Sequence, residues 1–298
     1  MSLESPTSSA DNPFVVVLGV AQDGGVPQPG CECMHCRAAW DDARLRRHPA
    51  CLGIVDPLTR EYWMFDCTPS FGWQLRELRK AAASPPAQLV SGIFVSHAHL
   101  GHYTGLALLG REAMAANEVP VYAMPRMAGV LRDNEPWRQL VQNRHLTLSP
   151  LEAGRPLTLN QRIRVLPFLV PHREELSETI GLEIVGPARS VGWLTDIDTW
   201  EAWDVKLEDW IGRHDVVFID GTFFDGSELP DRERSRIPHP TIRATVERLS
   251  DQAPTLKNRV HFVHLNHSNP VLRPGSQQAQ WLADSGCQLA EEGQRESI

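Results

Sequence analysis

The strongest constraint on the fold is a group of three histidines that directly follows a strand-like apolar run. The run LVSGIFVS (89–96) continues into HAHLGH, which contains His97, His99 and His102. In an extended segment, residues i and i+2 project to the same side, so His97 and His99 can reach one cation together. His102, at the start of the next helical segment, can turn back toward the same place. Polar loop residues or helix-capping histidines are the alternative, but this spacing favours a zinc or iron site.

The other apolar runs predict two sheets. Strand-like runs rich in Val, Ile and Phe lie at 14–21, 61–66, 89–96, 121–124, 162–170, 180–185, 190–195, 215–220 and 259–265. Helix-like segments lie at 71–83, 106–116, 126–134, 199–214, 241–250 and 276–285. Early strands follow one another and later ones alternate with helices, which predicts two helix-covered sheets rather than one doubly wound sheet. No linker divides the chain, so we predict a single domain over 13–298 behind a disordered tail over 1–12.

Further chemically active side chains stand at the ends of these runs. Four of them lie just after, or at, the end of a predicted strand: His172, Asp196, Asp220 and His264. Sites assembled from several strand ends at one rim are typical of α/β enzymes. We therefore expect these side chains to meet the histidine group at one edge of the sheets.

These segments resemble those of the metallo-β-lactamase superfamily. HAHLGH is similar to its HxHxDH signature, with Gly101 in place of the aspartate, and four later or earlier motifs match in order: FDCTPS (Asp66), PHREELSET (His172), WLTDID (Asp196) and VHLNH (His264). LGVAQDGGVPQPGCECMHC, FIDGTFF and HLNHSNP look like segments of the coenzyme PQQ synthesis protein B branch. The resemblance covers most of the chain. It implies an α/β (α+β) fold, a four-layer αββα sandwich of two mixed sheets flanked by helices.

The resemblance also implies a metal centre with two positions. The first would be formed by His97, His99 and His172, with Asp196 bridging to a second formed by His102, Asp196 and His264. One or two Zn²⁺, Fe²⁺ or Mn²⁺ ions are expected there. Proteins most like the PQQ branch generally lack the first two histidines of the signature and keep its aspartate, whereas this chain has the opposite pattern.

Gly101 removes one anionic ligand from the second position. Three protein ligands and water still satisfy a catalytic zinc, but a less negative site is expected to bind its cation more weakly. Asp198 or Asp220 could substitute, or could be ordinary strand-end or turn carboxylates. The glycine pair in GVAQDGG favours a simple turn, although such a turn could also carry Asp23 to the rim.

A histidine that lies between the predicted strands 215–220 and 259–265 is a candidate proton donor. His239 lies in IPHPT ahead of a helix-like segment, and Asp220 could orient it. The arrangement resembles the acidic strand end and later histidine of the tRNA-processing nucleases of the same superfamily. His239 as an exposed loop residue is the alternative.

Three cysteines form a second candidate metal site. GCECMHC places Cys31, Cys33 and Cys36 at a spacing that can wrap one zinc tetrahedrally with a fourth ligand. Three reduced cysteines in a loop are the alternative. The fourth ligand could be His35, another cysteine or His267. We choose His267 because HLNH resembles an arrangement in the phosphonate-pathway cyclic phosphodiesterases of the superfamily, and we predict one structural zinc beside the active centre.

Composition and charge limit the classes of partner that we expect. The net charge is −8 with scattered Lys and Arg, which argues against a nucleic-acid partner. No apolar run approaches the roughly 18 residues of a membrane span, and the polar N-terminus is unlike a signal peptide, so we expect a cytoplasmic protein without a membrane partner. We expect a small-molecule substrate. The oligomeric state stays open, with a homodimer as one arrangement.

The leading functional hypothesis is a metal-dependent hydrolase that uses metal-bound hydroxide. Its substrate would be a small-molecule ester, lactone, amide or phosphodiester. An oxidative iron enzyme like those of PQQ biosynthesis is the first alternative. A non-catalytic carrier or binding protein with a degraded second metal position is the other, and Gly101 is its main support.

Overall fold

The computed structural model describes residues 11–82, 89–228 and 237–298. Residues 1–10 of the predicted disordered tail lie outside the described residues.

Two mixed sheets form the centre of the described structure, as predicted. The first contains β1 (Phe14–Gly19), β2 (Cys51–Asp56), β3 (Glu61–Phe65), β4 (Gly92–Phe94), β5 (Val119–Ala123), β6 (Leu146–Pro150) and β14 (Arg295–Ser297), in the order β14-β1-β2-β3-β4-β5-β6. The second contains β7 (Leu157–Thr158), β8 (Arg164–Leu169), β9 (Ile180–Val185), β10 (Ser190–Leu194), β11 (Val216–Asp220), β12 (Val260–Val263) and β13 (Gln288–Leu289), in the order β13-β12-β11-β10-β9-β8-β7. Each sheet combines parallel and antiparallel pairs.

Helices flank the sheets. They are α1 (Met34–Asp41), α2 (Phe71–Ala81), α3 (Leu100–Tyr103), α4 (Pro125–Asp133), α5 (Trp137–Gln142), α6 (Leu207–Gly212), α7 (Ile242–Arg248), α8 (Pro254–Lys257) and α9 (Gln277–Ser285). In α2, Phe71, Leu75 and Leu78 form one buried stripe while Arg76 and Arg79 are exposed, the pattern of a helix packed on a sheet. Among the described residues, no helix combines the length and apolar character needed to cross a membrane.

The core has three apolar layers between four layers of structure. In β1, Val15 and Val17 pack between the two sheets, while Val16 and Leu18 pack on the opposite face of the first sheet. A third cluster lies on the outer face of the second sheet and includes Trp210 of α6 and residues of α7 and α9. The layering is that of the predicted αββα sandwich.

The helix predicted over 106–116 is wrong. The chain forms a 3-10 helix over Thr104–Leu109 and then turns. Leu106 and Leu109 are both buried, and the i, i+3 spacing that brings them to one face suits a 3-10 helix. Gly110 has an extended backbone and ends the segment.

The single helix predicted over 199–214 is also wrong. A 3-10 turn at Trp200–Ala202 is followed by an extended Trp203, and α6 begins only at Leu207. The indole of Trp203 donates to the Leu169 carbonyl at 3.1 Å and packs against Phe168. The backbone thus leaves the helical conformation at the residue whose indole is anchored on the second sheet.

Candidate metal centre

The candidate centre lies where strand ends of both sheets meet. β3 and β4 are parallel in the first sheet, and β10, β11 and β12 are parallel in the second, so their carboxyl ends share an edge. The side chains of interest lie at or just after these ends: Asp66, His97, Asp196, Asp220 and His264. The Ile180 amide donates to the Ser96 carbonyl at 3.2 Å and joins the two edges. The expectation of one shared rim therefore agrees with the structure.

Three imidazoles form the first group. Ligand atoms of His97, His99 and His172 all lie within 4.8 Å of one another. His172 Nε2 and His99 Nδ1 are 3.3 Å apart. Two nitrogens at about 2.05 Å from a tetrahedral zinc are separated by about 3.3 Å, so this spacing fits a shared cation.

Asp196 lies between this group and a second one. Its side chain is buried, with Oδ1 3.5 Å from His172 Nε2. Oδ2 is 3.4 Å from both His102 Nε2 and His264 Nε2. Its two carboxylate oxygens thus face different histidine groups, the arrangement required of a bridging ligand.

The second group contains a carboxylate that the histidine motif lacks. Asp23 joins His102 and His264, with ligand atoms within 4.8 Å of one another. Neither Asp198 nor Asp220 takes this place. Asp198 Oδ1 is 2.9 Å from His172 Nδ1, and Asp220 Oδ2 is 2.6 Å from Nδ1 of His239.

Oxygen atoms outside the centre hold four of the imidazoles through Nδ1. The pairs are Ser96 Oγ with His97 (2.9 Å), Asp66 Oδ2 with His102 (2.6 Å), Asp198 Oδ1 with His172 (2.9 Å) and Thr222 Oγ1 with His264 (3.0 Å). Such partners fix the ring orientation and leave Nε2 for a metal. The outer contacts therefore prepare these rings as ligands.

Buried polar atoms without partners converge on the same space. In the described part of the chain, five atoms of the centre are buried and form no hydrogen bond: Asp23 Oδ1, His97 Nε2, His102 Nε2, Asp196 Oδ2 and His264 Nε2. Leaving such groups unsatisfied costs about 1–3 kcal/mol each. A divalent cation with nitrogen and oxygen ligands would satisfy them together, so the residues fit a zinc-, iron- or manganese-type ion.

The electrostatics favour the ligating forms of His97 and Asp196, and the protonated form of His102 when no cation is bound. Burial, reinforced by His102, lowers the pKa of His97 well below its usual value, so this imidazole stays neutral. Burial would raise the pKa of Asp196, but the nearby His264 and His102 outweigh it and hold that pKa well below its usual range. At His102, burial is likewise outweighed: the carboxylates of Asp66 and Asp196 hold its pKa well above the usual value. A cation that binds at His102 Nε2 would therefore displace a proton from this ring.

Two residues of the centre have a left-handed backbone. Asp66 has φ +71° and His264 has φ +63°, a conformation that is uncommon for residues other than glycine. Both directly follow a strand, β3 and β12 respectively. Strain of this kind is concentrated at functional sites, where the surrounding structure holds it in place.

His239 and Asp220 form a pair next to the centre. His239 Nδ1 is 2.6 Å from Asp220 Oδ2, and the His239 side chain is only 3% exposed, so it is not an exposed loop residue. Burial lowers the pKa of His239, but the Asp220 carboxylate outweighs it and raises that pKa overall. A ring nitrogen of His239 also lies within 4.8 Å of ligand atoms of His172 and Asp196. This position allows either proton donation or a further contact with a cation.

The structure brings together the four residues predicted for a structural zinc. His267 Nδ1 is 3.5 Å from Cys31 Sγ, 3.6 Å from Cys33 Sγ and 3.5 Å from Cys36 Sγ. A sulfur and a nitrogen bound to one tetrahedral zinc are about 3.6 Å apart, so all three distances fit. His35 is not in the group: its Nδ1 is 3.0 Å from the His267 carbonyl oxygen.

The sequence interpretation left several residues of the centre without a role. The sequence favoured a simple turn at Asp23, with a place at the rim as the alternative, and gave no prediction for Ser96 or Thr222. Asp66 was matched to a family motif, and its position after β3 is a usable signal because carboxylates at strand ends often face a site. Ser96 and Thr222 could not be recognised, since hydroxyls near strand ends are common.

Comparison with known proteins identifies a family for most of the chain. The family model described as "Beta-lactamase superfamily domain" matches residues 62–264. Coenzyme PQQ synthesis protein B of Rhizobium meliloti (strain 1021) is 28% identical over 291 residues, which cover 88% of this chain and 91% of that protein. The protein of the same name from Xanthomonas oryzae pv. oryzae (strain MAFF 311018) is 24% identical and covers 94% and 98%.

Two solved structures have a fold similar to that of this chain. Zn²⁺-bound PqqB from Methylobacterium extorquens superposes with a TM-score of 0.78 at 20% identity, covering 96% of this chain and 100% of that one. A diphosphatase from the PhnP family superposes with a TM-score of 0.68 at 20% identity, covering 96% and 97%. The predicted fold class and the predicted resemblance to the PQQ synthesis protein B branch are confirmed.

Proposed function

Because the chain belongs to the β-lactamase superfamily, we propose that it is a metal-dependent hydrolase of a small-molecule ester, lactone, amide or phosphodiester. The observation that supports this proposal is the set of five buried, unpartnered nitrogen and oxygen atoms that converge beside the His239–Asp220 pair. A structural core does not need such a set, since unpaired buried polar atoms destabilise it.

Two sets of residues would hold metal. His97, His99 and His172 would form one position, and His102 and His264 the main part of another, with Asp196 between them. A divalent cation bound there supplies an activated water and polarises the bond to be cleaved.

The chain's own acid–base group is the His239–Asp220 pair. In this proposal His239 donates a proton to the leaving atom of the substrate, and Asp220 fixes the ring through Nδ1. Asp220 is itself fixed: its Oδ1 accepts from the Thr222 amide at 2.9 Å, and its Oδ2 from the Ile197 amide at 3.2 Å. The donor is therefore pre-oriented before substrate arrives.

The test is a substrate panel assayed with zinc, manganese or ferrous iron. Bis(p-nitrophenyl) phosphate, p-nitrophenyl acetate, an aliphatic γ-lactone and a p-nitroanilide represent the four classes. We expect hydrolysis of at least one class by the wild-type chain and its loss in Asp196→Asn. His145→Asn is the matched control, because His145 contacts the Ala116 carbonyl away from the centre and should keep full activity.

Metal-dependent oxidation is a second candidate. It is favoured by similarity to coenzyme PQQ synthesis protein B over 88–94% of this chain, whereas the histidine-rich ligand set favours hydrolysis. Oxygen uptake by the ferrous protein in the presence of an aromatic quinol, with no activity on the hydrolase panel, would support oxidation instead. Tight metal binding without either activity would identify a carrier.

A further inference from the structure

Residue 101 has no room for a side chain because Asp23 occupies the space. A Cβ added at Gly101 would overlap the Asp23 carboxylate and would lie 2.5 Å from Asp23 Cα and 2.6 Å from Asp23 Cβ. Gly101 lies one residue before His102, in α3, and is buried. The missing side chain is therefore replaced in space by a residue from another part of the chain.

The Asp23 carboxylate faces the two imidazoles of the second group. Its Oδ1 is 3.1 Å from His102 Nε2 and 4.0 Å from His264 Nε2. Although 44% of the Asp23 side chain is exposed, Oδ1 itself is buried and forms no hydrogen bond within the described residues. Oδ1 and His102 Nε2 are within ion-pair distance but lack hydrogen-bond geometry, and both face the same space as His264 Nε2.

The turn that carries Asp23 is fastened to the segment that carries His264. The Gln22 amide donates to the Leu265 carbonyl at 2.8 Å, and the Asn266 side-chain amide donates to Gln22 Oε1 at 2.9 Å. The Gly25 amide closes the turn on the Gln22 carbonyl at 2.8 Å. Asp23 is thus held at a fixed distance from His264 and does not lie on a free loop.

We propose that Asp23 supplies the carboxylate ligand of the second metal position, with Gly101 making room for it. This inference rests on the metal-binding part of the proposed function. A carboxylate from the N-terminal turn returns the negative charge that Gly101 removes from the histidine motif, so the second position is relocated in sequence and not degraded. The binding-protein hypothesis then loses its main support.

An ion pair of Asp23 with His102 would be the purely structural alternative. The two roles, ion-pair partner and metal ligand, predict different effects of a substitution at Asp23. Loss of an ion pair changes the stability of the fold, whereas loss of a ligand changes the affinity for one of two cations. The measurement must therefore count and titrate metal ions independently of catalysis.

The experiment is a titration of metal-free full-length protein with Zn²⁺ and Co²⁺, followed by calorimetry and by the absorption of bound cobalt. The variants are Asp23→Asn and the exchange Asp23→Gly with Gly101→Asp. The control is Asp41→Asn, an exposed carboxylate on α1. Thermal melting of each metal-free variant reports folding.

We expect two cations at the histidine centre of the wild type and of Asp41→Asn. Asp23→Asn should bind the second at least ~10-fold more weakly and keep the first unchanged, and the exchange variant should regain affinity. Equal second-site affinity in wild type and Asp23→Asn would overturn this inference alone. A wild-type chain with no cation at the histidine centre would overturn both this inference and the proposed function.

Discussion

His239 Nδ1 lies 2.6 Å from Asp220 Oδ2, and both side chains are almost fully buried. The pair comes from two different parts of the second half of the chain: Asp220 ends β11, and His239 precedes α7. Because Nδ1 is engaged by the carboxylate, a proton on the other ring nitrogen is the one available to a substrate. The pair therefore makes a specific kinetic prediction.

Replacement of His239 should affect poor leaving groups most. For the substrate class found by the panel, His239→Asn should lower kcat/KM by about 10²-fold or more for a member with an alkoxide or amine leaving group, because such a group needs a proton. The p-nitrophenyl analogue releases p-nitrophenolate, which is a stable anion without a proton. Its kcat/KM should therefore fall by less than about 10-fold. Steady-state kinetics on the two substrates measure the difference.

His145→Asn serves as the control and should change neither rate. Equal losses on both leaving groups would contradict proton donation by His239. If metal content also fell in His239→Asn, the histidine would act as a ligand instead.

The cysteine site should hold a zinc that is separate from the histidine centre. Cys31→Ser should lower the zinc content by one equivalent, measured by mass spectrometry on tag-free protein prepared without added metal. Its melting temperature should also fall, because the site ties the N-terminal segment to His267. Since that segment also carries Asp23, affinity at the second position should weaken modestly.

Cys287→Ser is the matched control. Cys287 is a buried free cysteine outside the cluster, so the variant should keep its zinc content even if its stability falls. An unchanged zinc content in Cys31→Ser would show that the three thiols do not hold a metal.

Local patterns predicted much of the histidine centre, and long-range packing determined the rest. The i, i+2 spacing of His97 and His99 and the strand-end positions of Asp196 and His264 are visible in the sequence. The role of Asp23 is not, because it depends on contact with a glycine in a distant segment. Strand β2 was missed for a local reason: CLGIVD has only two β-branched residues and an internal glycine, which weakens a strand pattern.

Asp66 should tune the second metal position without being a ligand in this arrangement. Its Oδ2 is 2.6 Å from His102 Nδ1, and its Oδ1 accepts from the Ser96 amide at 2.8 Å. Asp66→Asn preserves the shape and tolerates the left-handed backbone, but removes the charge behind His102. Affinity for the second cation should fall by about 10- to 100-fold, measured by competition with a chromophoric chelator.

Asp56→Asn is the control for Asp66→Asn, because it should change the stability of the fold and not the affinity for metal. Asp56 is fully buried and pairs with Arg162 at 2.7 Å, away from the centre. Its loss should lower the free energy of unfolding by about 1–3 kcal/mol and leave metal affinity unchanged. Unchanged metal affinity in Asp66→Asn would mean that the carboxylate serves the fold alone.

Glu292 should make stability depend on pH near neutrality. Burial raises the pKa of this carboxyl from 4.5 to about 7. The hydrogen bond from the His48 amide acts in the opposite direction and lowers the pKa, but burial outweighs it. The folded chain therefore binds a proton that the unfolded chain has released, so the stabilisation is complete below about pH 4.5 and is lost as pH rises through about 7. Glu292→Gln keeps the acceptor for His48 and removes the charge.

The melting temperature of Glu292→Gln should exceed that of the wild type at pH 8 by about 2–4 °C, the shift produced by ~1 kcal/mol in a chain of this size. At pH 5 the difference should be much smaller, because the wild-type carboxyl is then protonated in the folded chain. Glu291→Gln, at the exposed neighbouring position, should follow the wild type at both values. Melting curves of Glu292→Gln and wild type that stay parallel from pH 5 to pH 8 would show that Glu292 is already ionised in the folded chain, with water reaching the carboxylate beside the His48 amide.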